Sequence, residues 1–382
     1  MTEAATRPRR DAGRAGRAGR TPARVRTSPQ RLVSARHLAV FTTLGAGCVA
    51  LFLATLVWGS VSIPVNEVVA ILTGQEASRG TWTAIVLDLR LPRAVTAVLA
   101  GSAMALAGLA MQTLFRNALA EPYVLGVTAG AGVGVGLVLL PQGATAGLGA
   151  TLLTAVAPLQ GLGVVGAAAA GAFAVLLVMS AVAARVQNTV IVLVAGMMFG
   201  AFLTAITNVL VYFARPEAVV AFTHWQFGSF QGVRTGQLPV LAGLVVLGAL
   251  ILAMSTKQLN ASLLGERYAQ SMGMSVRRFR ITAMAGTALL AGAVTAYAGP
   301  IAFLGIAAPH LARGLLGTTD HRLLIPGSAL VGAAIALAAG LFAQLPGTDA
   351  VLPLNAALAL LGAPVVLRVL LRINRTGGGF SV

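Results

Sequence analysis

Long apolar segments with almost no charge are the feature that most constrains this chain. Hydrophobic residues make up 57% of its 382 residues and charged residues only 10%, whereas soluble domains carry about 25% charged residues. Continuous apolar runs are typical of membrane-spanning helices, because the strands of a membrane β-barrel alternate apolar and polar residues. The 45 glycines favour helices that pack closely through small residues. The sequence therefore predicts an all-α, polytopic membrane protein.

About ten segments are predicted to span the membrane as helices. The weakest contains residues 126–136, whose sequence GVTAGAGVGVG is rich enough in glycine to hold irregular backbone inside a bundle. The predicted spans are residues 38–58, 95–114, 124–140, 162–184, 190–213, 238–256, 281–298, 301–316, 325–343 and 354–371.

Positive charge is distributed unevenly between the two sides of these spans. With a cytoplasmic N-terminus, the inner segments hold 22 of the 27 lysines and arginines, while the ten acidic residues divide equally. Lysine and arginine set the orientation of membrane proteins, so both termini are predicted to be cytoplasmic. The composition, rich in alanine, glycine and arginine, suggests a bacterium, whose plasma or inner membrane would hold the chain. The net charge of +17 follows this topology, which indicates the lipid bilayer as a partner and not nucleic acid.

Three parts of the chain are predicted. Residues 1–36 contain ten arginines among proline, glycine, alanine and threonine and cannot build a core, which is typical of a disordered basic tail. Residues 37–372 form the transmembrane domain, and residues 373–382 form a cytoplasmic C-terminal tail.

A charged island at residues 257–280, KQLNASLLGERYAQSMGMSVRRFR, interrupts the apolar pattern. Its leucines and methionines follow a partly amphipathic helical spacing, which Gly265 and Gly273 punctuate. One interpretation is a long basic loop. The other is a short helix that lies against the cytoplasmic face and is offered to a partner.

No residue pattern indicates a catalytic site or a metal site. No charge lies near the middle of a predicted span, whereas proton-driven carriers need ionisable groups there. The single Cys48 cannot form an internal disulfide, and neither His310 nor His321 has a metal-ligand partner at suitable spacing. The sequence also lacks the G-x-x-x-x-G-K-[ST] pattern of an ATPase. The chain is therefore either a passive pathway or a subunit that receives energy from a partner.

Four stretches together resemble the permease subunits of FecCD-type ABC importers for iron-siderophore complexes, haem and vitamin B12. The first is residues 89–128, which contain R-x-P-R at 90–93 and Q-x-x-x-R-N-x-L-A-x-P-x-x-L-G at 112–126. The second is LGERYAQSMG at 264–273, the third is G-x-I-x-F-x-G-x-x-x-P-H-x-x-R at 299–313, and the fourth is residues 317–326 with the span that follows. The resemblance covers residues 40–372, which is nearly the whole chain outside its tails.

The resemblance implies a transport subunit that is not itself an enzyme and holds no cofactor. A second permease subunit would complete the pathway, two separate subunits would bind ATP, and an extracytoplasmic binding protein would deliver the substrate. A ferric siderophore is the expected substrate, with cobalamin or haem as the alternative. An alternative of a different class is a membrane scaffold or sensor that transports nothing.

The resemblance also implies roles for individual residues. Arg90 and Arg93 would dock the binding protein, although anchoring of a helix end is the alternative. Pro122 would break a helix, and Asn117 would either cap that helix or bond exposed backbone. His310, at the cytoplasmic end of the eighth span, would bond backbone carbonyls. The residues expected to couple to the ATPase are Leu264, Gly265, Glu266, Arg267, Ala269 and Gly273. The residues expected to be architectural or to line a gate are Gln112, Asn117, Pro122, Pro309 and His310.

Four positions depart from the family pattern. Gly340, Gln344, Val351 and Asn355 stand where the family usually has aspartate, arginine, glutamate and glycine. These replacements put a full set of docking arginines in doubt. They favour a heterodimer whose other permease keeps the missing charges, with a homodimer as the alternative.

Overall fold

The structure is a computed structural model that describes residues 35–59, 61–140, 163–186, 188–344 and 351–375. These residues form fourteen α-helices, and no strand occurs among them. The predicted all-α class is therefore confirmed. The predicted tail 1–36 lies outside the described residues except for its last two residues, which begin the first helix. The predicted tail 373–382 lies outside them beyond residue 375.

The helices are numbered in chain order, and α3 contains a π-helical stretch at Ile85–Arg90. They are α1 (Ala35–Val57), α2 (Val65–Leu72), α3 (Gly80–Leu114), α4 (Val127–Leu139), α5 (Gly163–Arg185), α6 (Thr189–Tyr212), α7 (Pro216–Gln226), α8 (Leu238–Met254), α9 (Thr256–Leu263), α10 (Glu266–Ser271), α11 (Val276–Ala298), α12 (Leu304–Leu316), α13 (His321–Ala343) and α14 (Leu354–Arg375).

Seven of these helices are long and apolar enough to cross a membrane, namely α1, α3, α5, α6, α8 with its preceding turn, α11 and α13. Each of the ten predicted spans overlaps a helix, but three of these helices are not both long and apolar enough. Helices α4 and α12 have 13 residues each, and the apolar part of α14 is only Leu354–Pro364. The prediction of about ten spans is therefore loose, because only seven of the overlapping helices are long and apolar enough to cross a membrane.

Helix α4 is short because the chain before it turns back into the bundle. A 3-10 turn at Pro122–Leu125 leads to Gly126, which packs against Gly200 in α6. Gly200 lies eleven residues beyond the start of α6, or about 16 Å along its axis. Helix α4 thus begins beside the middle of α6. From there it needs only about half the length of α6 to reach the surface of the bundle.

Helix α3 forms the centre of the bundle. Most of its residues from Ala94 to Leu114 are buried, and it packs against α8, α11, α12 and α13. One apolar cluster contains side chains of α1, α3, α8 and α13, and a second contains side chains of α4, α5 and α6. Helix α11 contributes to both clusters and therefore joins them.

The contacts at the helix termini define two ends of the bundle. At one end, His37 Nε2 at the start of α1 lies 3.2 Å from the carbonyl oxygen of Leu316 at the end of α12. Helices α9 and α10 lie at this end, which is named the α10 end. At the opposite end, the start of α3 meets the end of α1, where Arg90 donates to Val57 O at 2.9 Å.

Candidate functional site

The charged island folds into two short helices and the start of a third. Helix α9 ends at Leu263, and α10 follows after Gly265, whose φ is +105°. Gly273, with φ +85°, separates α10 from α11. Side chains with a Cβ atom avoid this left-handed region, so both glycines fix the bounds of α10. A short helix is therefore present where the sequence predicts one.

Helix α10 presents an apolar stripe to the outside of the chain. Leu264, Tyr268 and Met272 are 64%, 54% and 53% exposed. Tyr268 lies within α10 and Met272 is its C-cap, whereas Leu264 lies just before Gly265 and is the C-cap of α9. Ala269 is buried and faces the bundle. Exposed apolar side chains grouped at one end of a bundle are typical of a protein interaction surface.

A basic cleft lies beside this stripe. It encloses about 660 Å³ between α10 and the adjoining ends of α5 and α11. Arg185, Arg267 and Arg277 line it and are exposed. Their positive charge favours a partner with acidic side chains.

Glu266 anchors α10 to the bundle. Its Oε1 accepts a hydrogen bond from Thr189 Oγ1 at 2.7 Å and lies 3.2 Å from Arg280 Nη2. The Arg280 guanidinium also donates to Val186 O at 2.9 Å and to the Thr189 hydroxyl at 2.7 Å. The Glu266 carboxylate is thus engaged within the chain, and Arg267 is its exposed neighbour.

Asn260 makes a second attachment of this region, to the start of α13. Its Nδ2 donates to Asp320 Oδ1 at 2.7 Å. Its Oδ1 accepts from the His321 backbone N–H at 2.9 Å and lies 2.7 Å from His321 Nδ1. On its other side, His321 Nε2 lies 2.9 Å from Thr113 Oγ1 in α3.

Asp320 caps α13 and carries a shifted pKa. Burial raises the pKa of this carboxyl, but hydrogen bonds from the Arg322 amide and the Asn260 side chain outweigh burial, so the pKa lies below its ordinary value. The carboxylate is therefore the favoured form at the start of α13.

At the opposite end, Arg90 is buried and not displayed. It is 6% exposed and donates to the carbonyls of Leu56 at 2.7 Å and Val57 at 2.9 Å, and to Val61 O. The first two are terminal carbonyls of α1, which lack a partner within their own helix. This placement corrects the expectation of a docking side chain and agrees with the alternative, anchoring of a helix end.

Arg93 contacts two of the positions that depart from the family pattern. Its Nη2 donates to Gly340 O at 2.7 Å. The Gln344 side-chain oxygen, once its amide is oriented to satisfy its neighbours, accepts from Arg93 Nη2 at 2.9 Å and from Nε at 3.2 Å. Arg93 is half-buried. The two replacements therefore accept hydrogen bonds from the arginine that the sequence assigns to docking.

Asn355 joins α14 to its neighbours. Its Nδ2 donates to Pro300 O at 2.8 Å and Gln226 O at 3.2 Å, and its Oδ1 accepts from Ala302 N at 3.2 Å. The family's usual glycine could not make these three contacts. Val351, in contrast, is exposed.

Gln112 is fully buried and bridges α3 to α12. Its Nε2 donates to Gly305 O at 3.2 Å, and its Oε1 accepts from Arg313 Nη1 at 2.7 Å. These contacts give Gln112 an architectural position, at the junction where α12 begins.

Asn117 and Pro122 lie in the connection after α3. Helix α3 ends at Leu114, well before Pro122, so Pro122 does not break it; Pro122 begins the following 3-10 turn. Asn117 Oδ1 accepts from Leu119 N at 2.9 Å, so Asn117 does not cap α3 but bonds the backbone of a local turn, which was the other alternative.

Pro309 and His310 lie inside α12, which continues to Leu316, and so they are not at the end of the helix as expected. His310 Nδ1 lies 2.9 Å from Ile306 O, one turn earlier. The expected bond from this histidine to a backbone carbonyl is therefore present.

The anchoring residues Asn260, Thr189 and Arg280 were not identified from the sequence as site residues. Arg280 stood within the charged island, but its partner Thr189 is distant in the chain and lies in a different helix. Asn260 gave no sequence signal. Within the described residues, no three His, Cys, Asp or Glu side chains lie together in a way that could hold a metal ion.

Known proteins share both the sequence and the fold of this chain. The FecCD transport family matches residues 47–372. The vitamin B12 import system permease proteins BtuC of Escherichia coli O17:K52:H18 and of Shigella sonnei are each 36% identical over 307 residues, which is 79% of this chain and 89% of theirs. A solved structure of an inward-facing metal-chelate type ABC transporter shares the fold, with a TM-score of 0.74 and 24% identity over 88% of this chain and 99% of that one.

Proposed function

Because this chain belongs to the FecCD transport family, we propose that it is the permease subunit of an ABC importer and that separate subunits hydrolyse ATP for it. A second permease chain would complete the pathway along a two-fold axis. An extracytoplasmic binding protein would deliver the substrate. The chain itself supplies the membrane pathway and the surface on which the ATPase pushes.

One observation carries this proposal, namely the surface of α10. The helix is short and bounded by two glycines, and exposed apolar side chains lie on it at Tyr268 and next to its ends at Leu264 and Met272. A rigid helix of this kind suits the cleft of a second protein. The exposed Arg267 beside it would meet acidic groups of the ATPase.

Coupling requires that a push on α10 reach the membrane helices. The bonds of Glu266 to Arg280 and Thr189 attach α10 to the starts of α11 and α6. Movement of the docked helix would therefore tilt these helices and alternate access to the pathway. The ATPase would have to bind one state more tightly than the other, since equal binding shifts no equilibrium.

We propose a metal-containing chelate as the substrate, with a ferric siderophore as the first candidate. Cobalamin is the second candidate, and the 36% identity to vitamin B12 permeases supports it. For the partner permease, the neutral residues at Gly340 and Gln344 favour a heterodimer whose other chain supplies the missing charges.

Co-purification and uptake test the proposal together. The tagged chain is purified from membranes of its host, reconstituted in liposomes with the proteins that accompany it, and supplied with radiolabelled cobalamin or a radiolabelled ferric hydroxamate. We expect an ATPase subunit in the complex and ATP-dependent import of one ligand. Tyr268→Arg should release the ATPase, whereas Val69→Arg, at an exposed apolar site in α2, should not.

The scaffold alternative predicts a different result. In that case no ATPase accompanies the wild-type chain, and neither ligand enters the liposomes on addition of ATP. Retention of the ATPase by Tyr268→Arg would contradict the assignment of α10 as its docking surface.

A further inference from the structure

We infer that Asn260 is a positioning residue that transmits movement of the α9–α10 segment to α13 and, through His321, to α3. The inference rests on the proposed function, since it names a residue through which that coupling would act. Asn260 lies in the charged island but outside the stretches that carry the family resemblance. The contacts of its side chain carry the inference.

Chemistry fixes the orientation of the Asn260 amide. The Asp320 carboxylate only accepts hydrogen bonds, so the Asn260 amide nitrogen must face it, as the 2.7 Å contact to Asp320 Oδ1 has it. The amide oxygen then faces the backbone N–H and ring Nδ1 of His321, at 2.9 and 2.7 Å. One side chain of α9 thus holds both the capping residue and the first residue of α13.

His321 carries the connection into the centre of the bundle. Its side chain is 1% exposed. His321 Nε2 lies 2.9 Å from Thr113 Oγ1, whose hydroxyl also donates to Leu109 O at 2.8 Å. The residue before Thr113, Gln112, bonds to Gly305 O where α12 begins. A chain of bonded groups therefore runs from α9 to the start of α12.

The segment is consequently attached to two different sets of helices. Glu266 bonds to the starts of α11 and α6, beside the second apolar cluster. Asn260 bonds to the start of α13, beside a third apolar cluster that contains Leu109, Leu316 and Leu324. With both attachments in place, a push on α10 moves α13 together with α11 and α6. Without the Asn260 bonds, the push reaches only α11 and α6.

The ratio of ATP hydrolysed to substrate imported tests this role. The complex described above, prepared with Asn260→Ala, should still contain its ATPase, because the docking stripe is unchanged. We expect the ratio to rise about tenfold, as it would when a lost hydrogen-bonded contact weakens coupling by about 1.4 kcal/mol. The matched control is Gln258→Ala in the same helix, whose Oε1 has no hydrogen-bond partner within the described part of the chain; its ratio should equal that of wild type.

A paired exchange separates positioning from a general structural role. Asn260→Asp alone places a carboxylate against Asp320 and should uncouple the complex. Combined with Asp320→Asn, it restores one donor and one acceptor between the two positions and keeps a residue that caps helices well. We expect the pair to recover most of the wild-type ratio.

Two outcomes would overturn the inference. One is an unchanged ratio in Asn260→Ala. The other is a parallel loss of import and hydrolysis in every Asn260 variant, the paired exchange included, because a purely structural residue would lower both equally. A wild-type complex that shows no ATP-driven import would instead refute the proposed function itself.

Discussion

Gly108 of α3 lies against the backbone of Gly305 in α12 so closely that a Cβ atom on Gly108 would be 1.9 Å from the Gly305 carbonyl oxygen. Small residues let membrane helices approach to this distance. The contact lies one turn from Gln112, which bonds to the same carbonyl at 3.2 Å. Close backbone approach and a buried amide together fix where α12 begins against the central helix.

We therefore expect Gly108→Ala to destabilise the protein by about 1–3 kcal/mol, the usual cost of overpacking a core. The atoms that a Cβ on Gly108 would meet are Gly305 O, C and Cα, and backbone atoms cannot move aside cheaply. The thermal unfolding midpoint in detergent measures the effect. Gly314→Ala is the control, because a Cβ there meets nothing within 4 Å. Equal midpoints for the two variants would show that the approach is looser than described.

The two partners of the Glu266–Arg280 pair differ in exposure, and their substitutions should differ accordingly. Glu266 is 40% exposed and Arg280 only 3%. Glu266→Gln keeps an acceptor for Thr189, and its neighbours remain near water, so we expect a loss of less than about 1 kcal/mol. Arg280→Gln removes the buried charge and donors that hold Val186 O and Glu266, so we expect about 2–3 kcal/mol. Thermal unfolding should show this order; the reverse order would contradict it.

Arg90 should affect stability more than recognition. It supplies donors to three carbonyls near the end of α1. Arg90→Ala leaves these groups without their partner, and we expect a loss of about 2–4 kcal/mol. Binding-protein affinity per folded molecule should stay unchanged, whereas Arg93→Ala, at a half-buried site, is the variant expected to lower it. Selective loss of affinity in a fully stable Arg90→Ala protein would restore the docking role.

The spans could be predicted from sequence because each is a local signal. An apolar run such as that of α6 predicts a membrane-spanning helix whatever neighbours the helix packs against. The half-length of α4 could not be predicted, since it follows from where Gly126 meets Gly200, a contact between distant parts of the chain. The hydropathy of a segment indicates that it lies in the membrane, but it does not indicate at what depth of the bundle its helix begins.

The same distinction applies to the candidate site. Gly265 and Gly273 were correctly expected to interrupt the helical pattern, because glycine adopts a positive φ without steric cost and so favours a break in a helix. The burial of Arg90 could not be predicted, since a guanidinium at a helix end has the same sequence pattern whether it faces water or the carbonyls of α1. The role of Asn260 could not be predicted, because it depends on hydrogen bonds to Asp320 and His321, which are distant in the sequence.

Asp320 should make stability depend on pH in acid. Its pKa is lowered in the folded protein because hydrogen bonds from the Arg322 amide and Asn260 outweigh its burial. A group with a lowered folded pKa stabilises the protein above its unfolded pKa, and this stabilisation is lost as pH falls through the folded value. The loss should therefore occur below pH 3.8, the ordinary value. Acid unfolding in detergent should be shallower for Asp320→Asn, and an identical profile would contradict the assignment.

Gln344 offers a test of what the departures from the family pattern accomplish. Its side-chain oxygen accepts from Arg93, so a carboxylate at this position would make a charge-assisted pair, which is about twice as strong as a neutral hydrogen bond. We expect Gln344→Glu to stabilise the protein by about 0.5–1 kcal/mol, limited by the partial exposure of the pair. Gln344→Arg, which returns the family's residue, should destabilise it, because two guanidinium groups would meet with no carboxylate at Gly340 between them. Thermal unfolding of both variants is compared with that of Gln344→Ala as the neutral reference. A Gln344→Arg protein as stable as wild type would contradict the contact between Arg93 and the Gln344 side chain.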